Sequence, residues 1–491
     1  MQKLNRSLLF TELNTNYSSG ADTPLDLKLD MLLPEGTESL FRVKPTEKGL
    51  LLRREFFSRI LADRGSAVER FNVALSLLTE AEESYRAFES AVCDNAKYYV
   101  FTEYARRMAD IYREFAKMTD YGELYEGFSS YFADVVDSEE FNGLTLKLEK
   151  IAESKKRIDA LDLNADGDKL KVAREFPDSM CGKVAHCLEA YGIAAPQPKS
   201  KRMLIQKSVV DAMATLYPAE FSEFSEFYGL YGDFFDRSVF AVATEFRLAV
   251  GIVELVDRAD AHGIPHCFPS LSGAKKIKLY EVYDIALLLK DGVNIVPNDC
   301  VFTSDEPFFY LTGANGGGKT TYLRAMGNAV LMFLFGAPVF CRSGECCLLD
   351  GVYTHFPKDE RFEGSGRFAD EQKRVDEILS ACENADGCGN SLILLNETYS
   401  TTNEEKATAC TSELARRLYA SGNFGLYITH QHGVDEAVVP FLGVLVDEQD
   451  KNRRTYRIER RRLKNRSFAA DILAKYGITA VELSELLRRG E

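Results

Sequence analysis

The sequence lacks any apolar run long enough to span a membrane. None of its 491 residues lies in a stretch approaching the ~20 consecutive apolar residues that cross a bilayer. Residues 1–17, MQKLNRSLLFTELNTNY, also lack the continuous apolar core and the small-residue cleavage site of a secretory signal. We therefore expect a cytoplasmic protein with no membrane partner.

Closely spaced cysteine pairs are also missing. The 11 cysteines contain no C-x-x-C pair, so we expect no zinc site and reduced thiols. His262, His266 and Cys267 stand close together, but Gly263 and Pro265 prevent the helix that would align them on a metal. We interpret this stretch as a loop.

Positive charge is scarce. Lysine and arginine number 60 against 75 aspartates and glutamates, a formal net charge of −15. Any contact with a polyanion must therefore come from a local basic patch. The best candidate is the run at 451–466, but its alternation around Tyr456 and Ile458 suits a solvated edge of a sheet equally well.

The composition, 45% apolar and 27% charged, is that of a folded protein of roughly three domains at about 150 residues each. Apolar residues at helical spacing predict long helices between Phe71 and Ile158. The same rhythm from Phe221 to Val256 predicts one helix of about ten turns. The polar Asp-Gly turn within 161–172 predicts a small hairpin.

After Pro265 the pattern changes to short buried strands between amphipathic helices. The strand-like runs are FFYLT (308–312), SLILL (391–395) and FGLYIT (424–429). Such alternation indicates a mainly parallel α/β sheet. The predicted fold class is thus α/β plus all-α. Its parts are an N-terminal segment (1–40), an elongated helical domain (41–265) and an α/β domain (266–491).

One motif carries clear chemistry. The pattern G-x-x-x-x-G-K-[ST] follows a predicted strand and precedes a predicted helix. Glycines let successive backbone N–H groups face a phosphate chain at a helix start. Lys319 would reach the β- and γ-phosphates, and Thr320 would ligate Mg²⁺. The sequence therefore predicts a nucleoside triphosphate site that includes Gly313, Ala314, Asn315, Gly316, Gly317, Gly318, Lys319, Thr320 and Thr321.

Two later strands end in polar residues that suit the same site. SLILLNET ends in Asn396 and Glu397, and FGLYITHQH ends in Thr429 and His430. Glu397 supplies the carboxylate for general-base work on the attacking water, and His430 is placed to sense the γ-phosphate. Asn396 stands where such enzymes place a metal-organising aspartate. We assign Lys319, Glu397 and His430 to catalysis.

Together these residues resemble the ATPase domain of the MutS mismatch-repair family. The resemblance extends to Tyr322 and Arg324 after the glycine loop, to VPND (296–299), and to SFAADILAKYGI (467–478), which is similar to the family's C-terminal helix. It covers roughly residues 40–491, with specific motifs from about 290 onward. The resemblance implies a P-loop ATPase domain of the ABC type joined to a helical lever.

The family implies a homodimer in which a signature loop of each subunit completes the ATP site of the other. EGSGRFADE (363–371) matches that loop, but Gly366 stands where a serine is expected. Gly366 and Asn396 predict slow turnover rather than loss of nucleotide binding. The first forty residues leave no room for the family's mismatch-reading domain, so the chain resembles a short MutS-like protein.

The leading hypothesis is an ATP- and Mg²⁺-dependent ATPase that couples dimer closure to engagement of duplex or branched DNA. The alternative is a nucleotide-gated scaffold or regulator outside repair that hydrolyses ATP slowly or not at all. A transporter-type ATPase subunit is weaker, because the usual signature sequence of that class is absent from the chain.

Overall fold

Two compact units make up the protein. Unit 1 comprises residues 1–8 and 65–246, and unit 2 comprises residues 9–64 and 247–491. The functional domain boundaries near residues 40 and 265 stay predictions. The computed structural model describes residues 8–10, 19–159, 162–166, 169–173, 207–290, 295–357, 367–382, 389–399, 404–431, 433–434, 437–446 and 454–460.

The helices follow the predicted periodicity over most of the chain. In the described residues no helix combines the length and apolarity needed to cross a membrane. Their bounds are α1 Thr23–Asp26, α2 Leu29–Leu32, α3 Glu47–Ala62, α4 Arg64–Glu89, α5 Asp94–Ala116, α6 Glu123–Val136, α7 Glu139–Asp159, α8 Lys207–Leu216, α9 Pro218–Tyr231, α10 Val242–Ala261, α11 Lys319–Phe335, α12 Arg367–Cys382 and α13 Glu404–Ala420.

Unit 1 is built around aromatic side chains on α4 to α7 and α9. Tyr104, Met108, Ile111 and Phe115 repeat at helical spacing along α5 and are all buried. The ring centroid of Phe115 lies 5.5 Å from that of Phe246. Burial of this face, rather than helix propensity alone, holds the helices in place.

The hairpin prediction is confirmed. Strand β1 (Asp162–Asp166) pairs antiparallel with β2 (Lys169–Ala173), with Asp162 opposite Ala173. The pairing ends with Asp166 opposite Lys169.

The prediction of one long helix from Phe221 to Val256 is wrong. Helix α9 ends at Tyr231, a short 3₁₀ helix spans Arg237–Ala241, and α10 follows. The Asp236 side chain accepts a hydrogen bond from the Ser238 amide (2.9 Å) and caps the new turn. Phe234 and Phe235 in the break stay buried, so the apolar rhythm continues where the helix does not.

The described residues of unit 2 form two sheets, and the three strand-like runs are parallel neighbours in one of them, as predicted. The larger sheet has six strands in the order β12-β11-β6-β10-β9-β8. Strand β12 pairs antiparallel with β11, and the other pairs are parallel. The bounds are β6 Phe308–Thr312, β8 Val352–His355, β9 Leu392–Asn396, β10 Phe424–Ile428, β11 Phe441–Val446 and β12 Arg454–Glu459.

Strand β12 contains part of the basic run at 451–466. In the described residues 454–460, the run forms an edge strand of the six-stranded sheet, consistent with its alternation. The second sheet has four strands in the order β3-β7-β4-β5. Its strands are β3 Ser270–Ser272, β4 Lys276–Val282, β5 Asn298–Thr303 and β7 Ser343–Cys347.

Residues 19–33, in which the sequence shows no interpretable motif, line the opposite edge of the large sheet. The Gly20 amide donates to the Val352 carbonyl (3.3 Å), and the Val352 amide donates to the Ser19 hydroxyl (3.2 Å). The Thr354 hydroxyl donates to Asp26 Oδ2 (2.7 Å). This segment therefore covers the free edge of β8.

Candidate functional site

The register of three parallel strands brings the predicted site residues together. Leu311 of β6 lies opposite Ile428 of β10, and Ile428 lies opposite Asn396 of β9. The carboxyl ends of these strands therefore meet at one edge of the sheet, where ligands bind in open α/β folds. The glycine loop, Thr429-His430 and Asn396-Glu397 all emerge at that edge.

The glycine loop turns sharply between β6 and α11. Gly313, Gly316 and Gly318 have φ of 139°, 70° and 93°, a region that favours glycine. A Cβ on Gly313 would lie 2.9 Å from the Val444 Cβ, whereas one on Gly316 would meet nothing within 4 Å. The loop is thus backed by β11 on one side and open on the other.

Helix α11 begins at Lys319 with no side-chain cap. Its N-cap residue is Gly318, which has no side chain to accept from the first-turn amides. Thr320 and Thr321 occupy this first turn and are half-buried. Uncapped N–H groups at a helix start, together with the helix dipole, favour an anion.

The Lys319 side chain folds back against the glycine loop. Its side chain is buried, and Nζ donates to the carbonyls of Gly313 (3.0 Å) and Ala314 (3.2 Å) and to Asn315 Oδ1 (3.3 Å). Burial lowers the pKa of Lys319, and the nearby Glu397 carboxylate opposes that shift. The ammonium is therefore bound by oxygen atoms of the glycine loop.

Glu397 and His430 form a pair at the ends of β9 and β10. The His430 Nε2 lies 3.1 Å from Glu397 Oε1. This hydrogen bond, aided by the charges of His430 and Lys319, lowers the pKa of Glu397 despite partial burial. The carboxylate is therefore ionised at neutral pH.

Glu397 is held in a strained turn. Its φ is 52°, and its amide donates to the Ile428 carbonyl of the neighbouring strand (3.0 Å). Strained backbone of this kind costs about 1–3 kcal/mol and concentrates at functional sites. The next residue, Thr398, bonds through its hydroxyl to His355 Nδ1 at 3.0 Å, and both are buried. Sequence reasoning missed His355, because nothing in its apolar strand distinguishes it.

The residues at this edge fit a magnesium ion. Within the described residues, Asn396 Oδ1 and Thr312 Oγ1 are buried atoms with no hydrogen-bond partner. With the Thr320 hydroxyl they make a set of neutral oxygen donors, the ligand type that Mg²⁺ takes. Asn396 contributes no charge, so the set is less anionic than one with an aspartate at that position.

The VPND stretch makes hydrogen bonds to β12 and to α11. Asn298 Nδ2 donates to the Tyr456 carbonyl (3.0 Å), and Asn298 Oδ1 accepts from the Ile458 amide (2.8 Å). The Tyr322 hydroxyl of α11 donates to the Asp299 carbonyl (2.7 Å). VPND thus connects β5 to both β12 and the helix that begins at Lys319.

Helix α11 is also bound by the N-terminal segment, which sequence reasoning did not foresee. Arg324 Nε donates to the Asp26 carbonyl (3.0 Å), and Asn328 Nδ2 donates to the Leu27 carbonyl (3.1 Å). Arg324, noted only for its resemblance to a family motif, is therefore an anchor for residues 19–33.

Part of the predicted signature loop lies outside the described residues. Gly364 and Gly366 fall there, as does the predicted C-terminal helix at 467–478. Phe368 and Glu371 lie on α12. The loop's role in a partner's site stays a prediction.

Comparison with known proteins supports the resemblance. The family model described as MutS domain V matches residues 309–485. The chain is 28% identical over 175 residues to DNA mismatch repair protein spellchecker 1 of Drosophila melanogaster, covering 35% of this chain and 18% of that protein. It is 28% identical over 163 residues to DNA mismatch repair protein msh-2 of Neurospora crassa, covering 33% of this chain and 17% of that protein.

A plant relative matches over a shorter stretch. The chain is 30% identical over 130 residues to the mitochondrial DNA mismatch repair protein MSH1 of Arabidopsis thaliana, covering 26% of this chain and 11% of that protein. The matched stretch therefore spans less than a fifth of each of these relatives. This chain is MutS-like, and over residues 309–485 it is similar to MutS domain V.

Proposed function

We propose that this protein binds ATP with Mg²⁺ and hydrolyses it at the edge where β6, β10 and β9 end. The observation that supports the proposal is the strand register: β6, β10 and β9 end at one edge, where the glycine loop follows β6 and the ionised Glu397 carboxylate bonds to His430. A glycine loop alone would support anion binding. A carboxylate on the neighbouring strand end adds a group that can take a proton from water.

Each residue has a distinct role in this proposal. The loop amides and Lys319 bind the phosphates, and Lys319 offsets charge that develops on the γ-phosphate. Thr320 and Asn396 hold Mg²⁺, which when bound neutralises phosphate charge. Glu397 orients and deprotonates the attacking water, and His430 fixes the carboxylate through its 3.1 Å hydrogen bond.

The likeness to MutS domain V extends the proposal to DNA. The named relatives are DNA mismatch repair proteins, so we propose that ATP binding closes a homodimer on duplex or branched DNA. Residues 363–371 would complete the partner's ATP site, and the helical domain would act as a lever. A cytoplasmic location stays a prediction.

Equilibrium binding of labelled ATP tests the core of the proposal. We expect Lys319→Ala to abolish saturable binding, because the change removes the buried ammonium beside the loop. Lys48→Ala is the matched control, since Lys48 is exposed on α3 of the same unit. Binding by Lys319→Ala at the level of the control would refute the assignment.

A non-hydrolysing scaffold is the second candidate, and Asn396 favours it. The Asn396 amide is neutral, so the site lacks the negative charge with which an aspartate at that position would help to organise Mg²⁺. Steady-state phosphate release, with and without duplex, branched and mismatched DNA, separates the candidates. ATP binding with a release rate that no DNA changes would favour the scaffold; stimulation by a DNA would favour the ATPase.

A further inference from the structure

Two cysteine thiols meet in unit 2, away from the nucleotide edge. Cys267 Sγ lies 3.5 Å from Cys341 Sγ. Cys267 belongs to the segment that follows α10, and Cys341 lies between α11 and β7. They are 74 residues apart along the chain, so their proximity is a product of the fold.

Backbone hydrogen bonds tie the segments of the two cysteines together. Val339 pairs with Cys267 through two amide–carbonyl hydrogen bonds of 2.9 and 2.8 Å. The Cys341 amide donates to the same Val339 carbonyl at 2.9 Å. Because both cysteine nitrogens contact one oxygen atom, they lie within twice that distance of each other. A disulfide requires the two sulfur atoms, now 3.5 Å apart, to approach to about 2.05 Å.

The two thiols differ in reactivity. Cys267 is half-buried, whereas Cys341 is fully buried. The hydrogen bond from Cys341 and the charge of Arg54 lower the pKa of Cys267 against the effect of burial. The pKa of Cys341 is raised, first by its bond to Cys267 and then by burial. Cys267 is therefore the more readily ionised and the less buried of the two thiols.

The surroundings suit a redox pair better than a metal. Arg54 is fixed nearby, since its Nη2 donates to the Pro269 carbonyl. Within the described residues, no group of three or more cysteine, histidine or acidic side chains could hold an ion. Oxidation of the two adjacent thiols to a disulfide would release two electrons.

We propose that Cys267 and Cys341 form a reversible disulfide when the protein meets a hydroperoxide. The Cys267 thiolate attacks a peroxide oxygen; an S–O bond forms, the O–O bond breaks, and the leaving hydroxide takes up a proton as water. The Cys341 sulfur then attacks the sulfenic acid of Cys267. The S–S bond forms, the S–O bond breaks, and the departing hydroxide with the Cys341 proton becomes a second water.

Two thiols are thereby oxidised to one disulfide, and one hydrogen peroxide is reduced to two waters. A dithiol reductant reverses the change by thiol–disulfide exchange. The bond would tie the segment after α10 to the segment that links α11 with β7. It would thus fix the end of the helix whose start is the proposed phosphate site.

Peptide mass mapping of the full chain tests the proposal. The protein is treated with hydrogen peroxide, blocked with N-ethylmaleimide, digested and analysed with and without dithiothreitol. We expect a cross-linked peptide pair containing Cys267 and Cys341, lighter by about 2 Da than the two reduced peptides together. Dithiothreitol should remove it. The control Cys410→Ser, with a half-buried cysteine on α13, should still form the pair.

Single variants separate the steps. In Cys341→Ser we expect Cys267 to accumulate as a sulfenic acid that dimedone traps, whereas in Cys267→Ser we expect Cys341 to stay reduced. Cys341→Ala repeats the first test should the serine disturb folding, which far-ultraviolet circular dichroism reports. The proposal is overturned if N-ethylmaleimide still alkylates both thiols of the wild-type chain after peroxide treatment. It is also overturned if Cys341 oxidises equally well in Cys267→Ser.

Discussion

The two units of this protein differ in where the strained backbone lies. Unit 1 buries aromatic rings and leaves its charges in ion pairs at its surface, such as Arg70–Asp120 and Arg86–Glu82. Unit 2 holds all the non-glycine residues that have a left-handed backbone in the described chain: Lys28, Glu281, Glu397, Tyr399 and Tyr456. It also holds the unpartnered Asn396 oxygen.

The strained residues of unit 2 indicate where functional groups are concentrated, because such strain is typical of functional sites. Surface ion pairs contribute about 0–1 kcal/mol each, so unit 1 depends on apolar packing. Strained backbone lowers stability and persists only where the surrounding structure enforces it. The comparison therefore predicts that changes in unit 1 act on stability, whereas changes at the strand ends of unit 2 act on activity.

The largest expected effect is on turnover. We expect Glu397→Gln to lower ATP hydrolysis by about 100-fold or more, because it removes the proton acceptor, while ATP binding survives. Phosphate release and ATP binding are measured on the same preparation. Glu413→Gln, an exposed change on α13, should leave both unchanged. Undiminished hydrolysis by Glu397→Gln would remove Glu397 from the mechanism.

The next effect concerns the core of unit 1. Phe115 is fully buried, with ring centroids of Phe128 and Phe132 at 5.2 and 5.1 Å. We expect Phe115→Ala to lower the free energy of unfolding of unit 1 by about 4 kcal/mol, through lost burial and a cavity. Phe115→Leu should cost less. Hydrogen exchange of α5 amides measures both; unchanged exchange would contradict aromatic packing as the main support.

A third effect depends on pH and lies in unit 2. Burial raises the pKa of Asp284 to about 6, although the Ala286 amide and nearby cations oppose the shift. The folded state then binds the proton more tightly than the unfolded state, so stability falls as pH rises from about 4 to about 6. Asp284→Asn keeps an oxygen for the Ala286 amide and removes the buried charge.

We therefore expect Asp284→Asn to be more stable than wild type by about 2 kcal/mol at pH 7 and to lose that advantage near pH 4. Urea unfolding across this pH range measures the difference. Asp305→Asn, at an exposed position, should show no such pH dependence. A variant that is less stable than wild type at pH 7 would show that the carboxylate stabilises the fold.

The smallest effect is a gain in unit 1. Gly229 is exposed within α9, and an added Cβ would meet nothing within 4 Å. We expect Gly229→Ala to raise the free energy of unfolding by about 0.5–1 kcal/mol, because alanine loses less backbone entropy in a helix. Thermal unfolding reports the change, and a lowered midpoint would indicate that Gly229 has a role beyond helix formation.

Local patterns predicted much of the fold. The runs 308–312, 391–395 and 424–429 led to β6, β9 and β10, and the Asp-Gly turn led to the β1–β2 hairpin. Helical periodicity failed at Gly232, because buried Phe234 and Phe235 keep the apolar spacing where the helix is interrupted. Periodicity reports which residues are buried, and burial does not require a continuous helix.

By itself, the amino-acid sequence determined the glycine loop, its lysine and the polar residues that end β9 and β10, because each depends on residue type at short spacing. Only the tertiary structure decided which strands are neighbours. The parallel register aligned Leu311, Ile428 and Asn396, paired His430 with Glu397, and brought Cys267 to Cys341. Contacts between residues far apart in the chain leave no local pattern, since they depend on how whole elements pack.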